Sequence, residues 1–224
     1  MDDNAFHAML RRLVARFTPD TIIDVGASNG SWSRMAREVW PAANLLLFEP
    51  NPVYAEALAE MECSGAHIAR ALACAQSTGE KVVRMSSDKP FQGVYEPGDE
   101  MHAAGAPEVV TVPMSTIDAE VARLGLPGPY LIKLDTHGRE HDILAGAREA
   151  LKQACALVIE VYTWSQGTTS MRMADLIPNI EREHGFLPSD LCEPLRRPYD
   201  GRMVQCDMLF EPKTAAGMNV PNLW

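Results

Sequence analysis

Residues 22–30, Ile-Ile-Asp-Val-Gly-Ala-Ser-Asn-Gly, carry an apolar strand pattern directly into a glycine turn, and a second apolar run ends at the acid of Leu47-Phe-Glu-Pro50. Strand, glycine turn, helix and a further strand closed by a carboxylate is the order in which an open α/β sheet holds an adenosine. Gly26 and Gly30 stand four apart, so the turn reads G-x-x-x-G. It lacks the middle glycine of G-x-G-x-x-G, which lets a pyrophosphate approach the backbone. The pattern therefore argues for an adenosine ligand without a pyrophosphate. S-adenosylmethionine fits, because Glu49 can chelate two ribose hydroxyls while a methionine end lies along the backbone from Gly26 to Gly30.

The rest of the chain repeats the alternation. Phe6, Met9, Leu10, Leu13, Val14 and Phe17 recur at helical spacing over residues 4–17, and Thr18-Pro19-Asp20 stops that helix. Strands are expected near 21–25, 44–48, 66–69, 129–135, 156–161 and 204–210, with helices near 31–39, 52–62, 115–124, 140–152 and 171–184. Strands separated by helical stretches of this length predict an α/β fold, a parallel sheet with helices on both faces. Between 79 and 113 the period changes: residues 81–85 and 108–112 alternate like half-exposed strands around a segment rich in Gly, Pro and Asp, either a substrate lid or a solvent loop. Residues 211–224 read as an extended tail whose Trp224 is docked or free.

With 224 residues and no break in composition, the sequence predicts one domain over 1–224. A formal charge of −10 without any block of Lys or Arg disfavours a nucleic-acid partner, which would require a cationic track to neutralise phosphates. Five scattered cysteines, at 63, 74, 155, 192 and 206, form no C-x-x-C pair, as in a reduced protein rather than a disulfide scaffold or zinc module. The acidic start has no signal-peptide core and no apolar run reaches the length of a membrane span, so a soluble, cytoplasmic chain without a membrane partner is expected. A small-molecule partner is expected, and a homodimer is compatible with the sequence but not required by it.

Ligands in such sheets gather beyond the carboxyl ends of the strands. Asp24 to Gly30, Glu49, Ala71, Asp135 to Gly138 and Glu160 all fall at predicted strand ends. Asp24 has two open roles, ligand contact or fixing the turn by accepting backbone N–H bonds. Glu49, held by Pro50, points outward at a fixed height.

These residues resemble the FkbM-type S-adenosylmethionine-dependent methyltransferases. The resemblance is carried by Ile23-Asp-Val-Gly-Ala-Ser-Asn-Gly30, Phe48-Glu-Pro-Asn-Pro52, Ala71-Leu72 with Gly79 following, and Ser115-Thr-Ile-Asp118. It continues through Ile132-Lys-Leu-Asp-Thr-His-Gly-Arg-Glu140, Ile143-Leu-Ala-Gly-Ala147 and Val158-Ile-Glu-Val161, in one order over residues 20–161. It implies a Rossmann-like class I methyltransferase fold with a mostly parallel seven-stranded sheet. It also implies methylation of a hydroxyl on a sugar, polyketide or other small metabolite. By the same resemblance Asp24, Gly26, Asn29 and Gly30, with Ala27 and Ser28 between them, belong at the methionine part of the cofactor. Glu49 and Asn51, with Pro50, belong at the ribose, Ala71 and Leu72 near the adenine, and Asp135 facing the sulfonium. Many relatives carry an acid in a Lys-x-Asp-x-Glu-Gly pattern where this chain has His137.

Histidine takes a proton near neutrality, whereas an ordinary carboxylate is a weak base. His137, oriented by Asp135 or Glu140, is therefore the candidate base toward an alcohol; capping the following helix or packing under the loop are its other open roles. Asp135, His137 and Glu160 are also donor types that gather a divalent metal, a less favoured reading. Tyr162 and Trp164 offer flat faces for an acceptor pocket, while Trp32 reads as core. Two further functions stay open: an NAD-dependent oxidoreductase, for which the middle glycine and a Tyr-x-x-x-Lys pair are missing, and a non-catalytic adenosine-binding scaffold.

Overall fold

Runs of Ile, Leu and Val with almost no exposed position set the centre of the sheet. The computed structural model describes residues 5–75, 79–85, 108–165 and 170–215. Its first half runs α1 (Ala5–Leu13), β1 (Thr21–Val25), α2 (Ser31–Val39), β2 (Asn44–Phe48), a single 3₁₀ turn at Pro52–Tyr54, α3 (Ala55–Cys63) and β3 (His67–Ala69). Then come β4 (Leu72–Ala73), β5 (Glu80–Met85), β6 (Glu108–Ser115), α4 (Ile117–Leu124) and β7 (Tyr130–Leu134). The chain continues with α5 (Glu140–Ala145), α6 (Arg148–Leu151), β8 (Ala154–Tyr162), α7 (Met173–His184), β9 (Phe186–Arg196) and β10 (Met203–Pro212).

Seven strands form one sheet in the order β3-β2-β1-β7-β8-β10-β9. The first five are parallel to one another, and only β10 opposes its neighbours on both sides. β1 and β7 are buried at every residue, as strands covered on both faces must be. One face is sealed by Phe6, Met9, Leu10 and Leu13 of α1 with Trp32 and Ala36 of α2 and Leu58 and Met61 of α3. The other is sealed by Ile117 of α4, Ile143 and Leu144 of α5, Leu151 of α6 and Leu176 and Ile180 of α7. Because β2 and β7 flank β1 while the chain leaves β1 in one direction and returns in the other, the sheet changes its winding sense at the carboxyl end of β1. A ligand site belongs there.

Several sequence expectations are corrected. The strand β9 was not anticipated: Pro188, Pro194 and a mostly exposed face mimic a loop, yet its pairing with β10 runs from Arg196–Met203 to Phe186–Pro212. The expected last strand at 204–210 extends to Pro212, so residues 211 and 212 are sheet rather than tail. Residues 216–224, with Trp224, lie outside the described residues, as does 86–107, the expected lid or loop. Its flanks pair antiparallel as β5 and β6, and β4 joins them in a separate three-stranded sheet. The helix expected over 140–152 is broken in two at Gly146, where a Cβ would stand 2.1 Å from the Cys74 carbonyl oxygen. The first helix is shorter than 4–17, its last turn loosening after Leu13. Among the described residues no helix is long and apolar enough to cross a membrane.

Candidate active site

The loop after β1 is shaped by two glycines and a serine in the left-handed region, Gly26 (φ 81°), Ser28 (φ 50°) and Gly30 (φ 77°). Gly26 is obligatory, because a Cβ there would meet the Asp135 carbonyl oxygen at 2.0 Å. The loop is tied down on both sides. Gly26 and Ala27 donate their N–H groups to the Phe48 carbonyl, and Asp135 donates its own to Val25. Glu49 completes the tie: Oε2 accepts from Ser28 N and Oε1 from Asn51 N, each at 2.8 Å. Every carboxylate oxygen has room for a second bond, so a Glu49 fixed by two backbone donors still presents acceptors to the cavity it lines. Desolvation, only partly offset by the two N–H donors, raises its pKa from 4.5 to about 7.

That cavity, about 840 Å³ including its mouth, opens at the switch point. Gly26, Ser28, Glu49, Pro50, Ala71, Leu72 and Asp135 of the expected cofactor set line it, together with His137 and Glu160. The other members of the set lie behind the wall. Asp24 is fully buried and accepts a 2.6 Å bond from Ser33 Oγ, so it anchors α2 to β1. Burial raises its pKa, against the pull of Lys133. Ala27 is core, Asn29 Oδ1 accepts from Ser31 N, Gly30 sits against Met61, and Asn51 Oδ1 caps the 3₁₀ turn at Val53 N. Tyr54, Thr136, Arg139 and Ile143 also line the cavity and were missed, since nothing local in the sequence says which face of a loop or helix start opens inward.

At the mouth, β7 and β8 bring Asp135, His137 and Glu160 together. His137 Nε2 is 3.7 Å from Asp135 Oδ1 and 3.7 Å from Glu160 Oε2. The histidine takes a left-handed backbone (φ 56°) and leaves the capping position of α5 to Arg139, so the helix-cap role is not observed. Nor does Glu140 orient it: that carboxylate is buried and accepts from Thr136 Oγ1 and Gly138 N. Burial lowers the His137 pKa, the Asp135 charge working against that and Lys133 with it.

Behind the histidine lies a buried charge network that sequence reasoning overlooked. Lys133 interrupts the apolar β7 and, at i and i+2 on one face, puts Nζ 2.7 Å from Asp135 Oδ2 and 5.6 Å from the centre of the Trp32 ring. A buried Lys in a strand was the available signal. Desolvation works to raise Asp135, but the Lys133 ammonium and a hydrogen bond from Glu160 outweigh it and hold Asp135 ionised. Glu160 is pushed the other way by burial and by the Asp135 charge, so the pair retains one proton on Glu160. Tyr162 OH donates to Glu160 Oε2 and Gln205 Nε2 to Glu160 Oε1.

Tyr162 is therefore buried with its hydroxyl engaged, and does not wall the cavity as expected; its ring stands edge-on to His137 and to Trp164, at 6.3 and 6.5 Å. Trp164 is half-buried and likewise not a cavity-lining residue, and Trp32 packs edge-on against Phe6 in the core. One ligand-type atom from each of Asp135, His137 and Glu160 lies within 4.8 Å of the others, a spacing that can hold a metal ion. Both Glu160 oxygens already accept bonds, however, and an ammonium group sits on Asp135. The donor set thus favours a proton over a divalent cation.

A mixed, mostly parallel sheet with this strand order, and a cavity between a glycine loop and the Glu49 carboxylate, defines a Rossmann-like methyltransferase fold. The methyltransferase FkbM domain matches residues 24–188, and the chain belongs to that family. A structural likeness is found to a methyltransferase FkbM from Methylobacillus flagellatus KT, with a TM-score of 0.54 and 17% identity, covering 86% of this chain and 44% of that one. A second is to a candidate O-methyltransferase from Klebsiella pneumoniae, with a TM-score of 0.50 and 12% identity, covering 93% of this chain and 79% of that one. At these identities the likeness speaks for the fold alone, and the chain spans less than half of the FkbM protein. No curated protein matches the sequence.

Proposed function

We propose that this chain binds S-adenosylmethionine and transfers its methyl group to a hydroxyl of a small metabolite, such as a sugar or a polyketide. One observation carries the reading: Glu49 and the Asp135, His137 and Glu160 cluster line the same cavity at the switch point of an FkbM-family sheet. The fit of the cofactor is supported by the Gly26 and Ser28 turn, which lines the cavity, and by the remaining acceptor capacity of Glu49. Ala71, Leu72 and Ile143 supply apolar wall for a purine. Asp24, Ala27, Asn29, Gly30 and Asn51 act from behind, by holding the loop and the Glu49 carboxylate. When bound, the cofactor supplies an electrophilic methyl group on a sulfonium.

The protein's share of the chemistry is placement and proton removal. Aligning an acceptor oxygen with the methyl–sulfur bond supplies much of the rate. His137, neutral at pH 7 and open to the cavity, takes the hydroxyl proton, and the ionised Asp135 stabilises the imidazolium.

Calorimetry with S-adenosylmethionine, S-adenosylhomocysteine and NAD tests the cofactor, and methyl release across a panel of hydroxylated acceptors tests the reaction. Uptake of the first two without NAD is the expected result. Binding of NAD alone, or of none, overturns the proposal.

A further inference from the structure

We infer that His137 accepts the proton through Nδ1, and that Glu160, held by Tyr162 and Gln205, is the positioning residue that fixes this tautomer. The inference rests on the methyl-transfer reading and assigns an atom within it. Of the two ring nitrogens, Nε2 faces the carboxyl pair, 3.7 Å from an oxygen of each acid. At 3.7 Å neither contact is a hydrogen bond, but the ionised Asp135 oxygen lies on the Nε2 side of the ring and its charge favours the hydrogen there, so Nε2 keeps its N–H and the lone pair falls to Nδ1. Backbone geometry supports the arrangement: the left-handed conformation at His137 turns the ring back toward β8, where Tyr162 meets it edge-on. Such strain at a non-glycine residue is maintained where surrounding contacts over-determine it.

Glu160 is not a free carboxylate. It sits on β8 opposite Asp207 of β10, and its two oxygens are engaged by donors from β8 and β10. Two strands thereby fix Glu160, which in turn hydrogen-bonds to Asp135, so that both acids are held at a set distance from Nε2. In the reaction the acceptor O–H proton passes to Nδ1. The oxygen forms its bond to the methyl carbon, the methyl–sulfur bond breaks, and its electron pair stays on sulfur. The imidazolium, now with N–H on both nitrogens, lies against ionised Asp135 and loses its proton to water after product leaves. The charged groups bearing on the ring are Asp135 and Lys133 of β7 and Glu160 of β8, with Asp207 of β10 acting on Glu160.

The test is long-range ¹H–¹⁵N NMR on the full chain labelled at its six histidines, with His137 assigned by the loss of its signals in His137→Asn. The expected spectrum at pH 7.5 (about 1 unit above the ordinary histidine pKa) has the Nε2–H form dominant. Glu160→Gln should lower that fraction, reduce kcat by roughly tenfold or more and shift the acid limb of the kcat profile, with KM for the cofactor unchanged. If Glu160→Gln does not fold, Tyr162→Phe removes one of the Glu160 donors and should move the same readouts in the same direction. A dominant Nδ1–H form, or a tautomer ratio and pH profile unmoved by these variants, overturns the assignment. Absence of methyl transfer to every acceptor, with the Nε2–H form present, would instead fault the methyl-transfer reading.

Discussion

Gly26 and the Asp135 carbonyl are packed so closely that a Cβ on the glycine would lie 2.0 Å from the carbonyl oxygen. The contact joins β1 to β7 at the point where the cavity opens, so the same backbone approach that builds the sheet also shapes the loop that lines the cavity. Gly26→Ala is expected to cost about 3 kcal/mol or more, because a backbone segment and not a flexible side chain has to yield. Gly65 is the control. It has a similar φ of 87° but nothing within 4 Å of its Cβ position, so Gly65→Ala should cost about 1 kcal/mol, the price of the left-handed conformation alone. Urea denaturation of the two variants checks the contrast.

Glu49 gives a pH signature. Its pKa is raised from 4.5 to about 7 in the folded chain, chiefly by desolvation. A folded state that holds this proton more tightly than the unfolded chain has the full benefit below about pH 4.5 and loses it as pH rises through about 7. The loss is on the order of 3 kcal/mol. Glu49→Gln should therefore flatten the stability curve of the cofactor-free protein across that window, measured as the difference in unfolding free energy between the two proteins. Ribose hydroxyls need the ionised acceptor, so cofactor affinity in the wild type should rise with pH through about 7 and fall at least tenfold in the variant. Equal slopes in the two proteins would remove Glu49 from this role.

Lys133, which is buried, and Asp135, which is half-buried at the cavity, make a pair whose partners depend on each other. Replacing Lys133 by Met leaves Asp135 beside Glu160 with no cation, and Asp24 and Asp207 lose the same charge. A cost of about 3 kcal/mol is expected. In the double variant with Asp135→Asn the cost should be well below the sum of the single changes, which a double-mutant cycle by thermal unfolding would measure.

The part of the site on β1, α2 and β2 was legible because it is local: an apolar run, two glycines and an acid lie within 30 residues, and each has one geometric use. The family motifs carried Asp135 in the same way, and His137 stood out as a departure from them. The Glu160 network was not legible, since its donors include Gln205, brought opposite Tyr162 only by the antiparallel register of β8 and β10. The sequence placed β10 but not its partner β9, whose prolines imitate a loop. Without the hairpin, no reading could place Gln205 or Asp207 beside Glu160. The reading of Glu140 as the orienting acid failed for a related reason: its nearest donors are the backbone and side chain of its own turn, which claim the carboxylate before His137 can.

His137 gives the prediction that separates proton chemistry from metal chemistry at this site. Replacing it by Asn keeps a polar side chain of similar reach but removes the base, so kcat should drop by about 10²- to 10⁴-fold while the cofactor Kd stays near that of the wild type. Burial holds the ring below its ordinary pKa of 6.5, so in the wild type the acid limb of kcat should fall beneath that value, and this limb should vanish in the variant. Both Glu160 oxygens and Asp135 already accept hydrogen bonds, so a chelator should leave the wild-type rate unchanged. Loss of activity on chelation, with recovery on adding magnesium or manganese, would mean that the three side chains hold a cation and that the hydroxyl is activated by Lewis acidity.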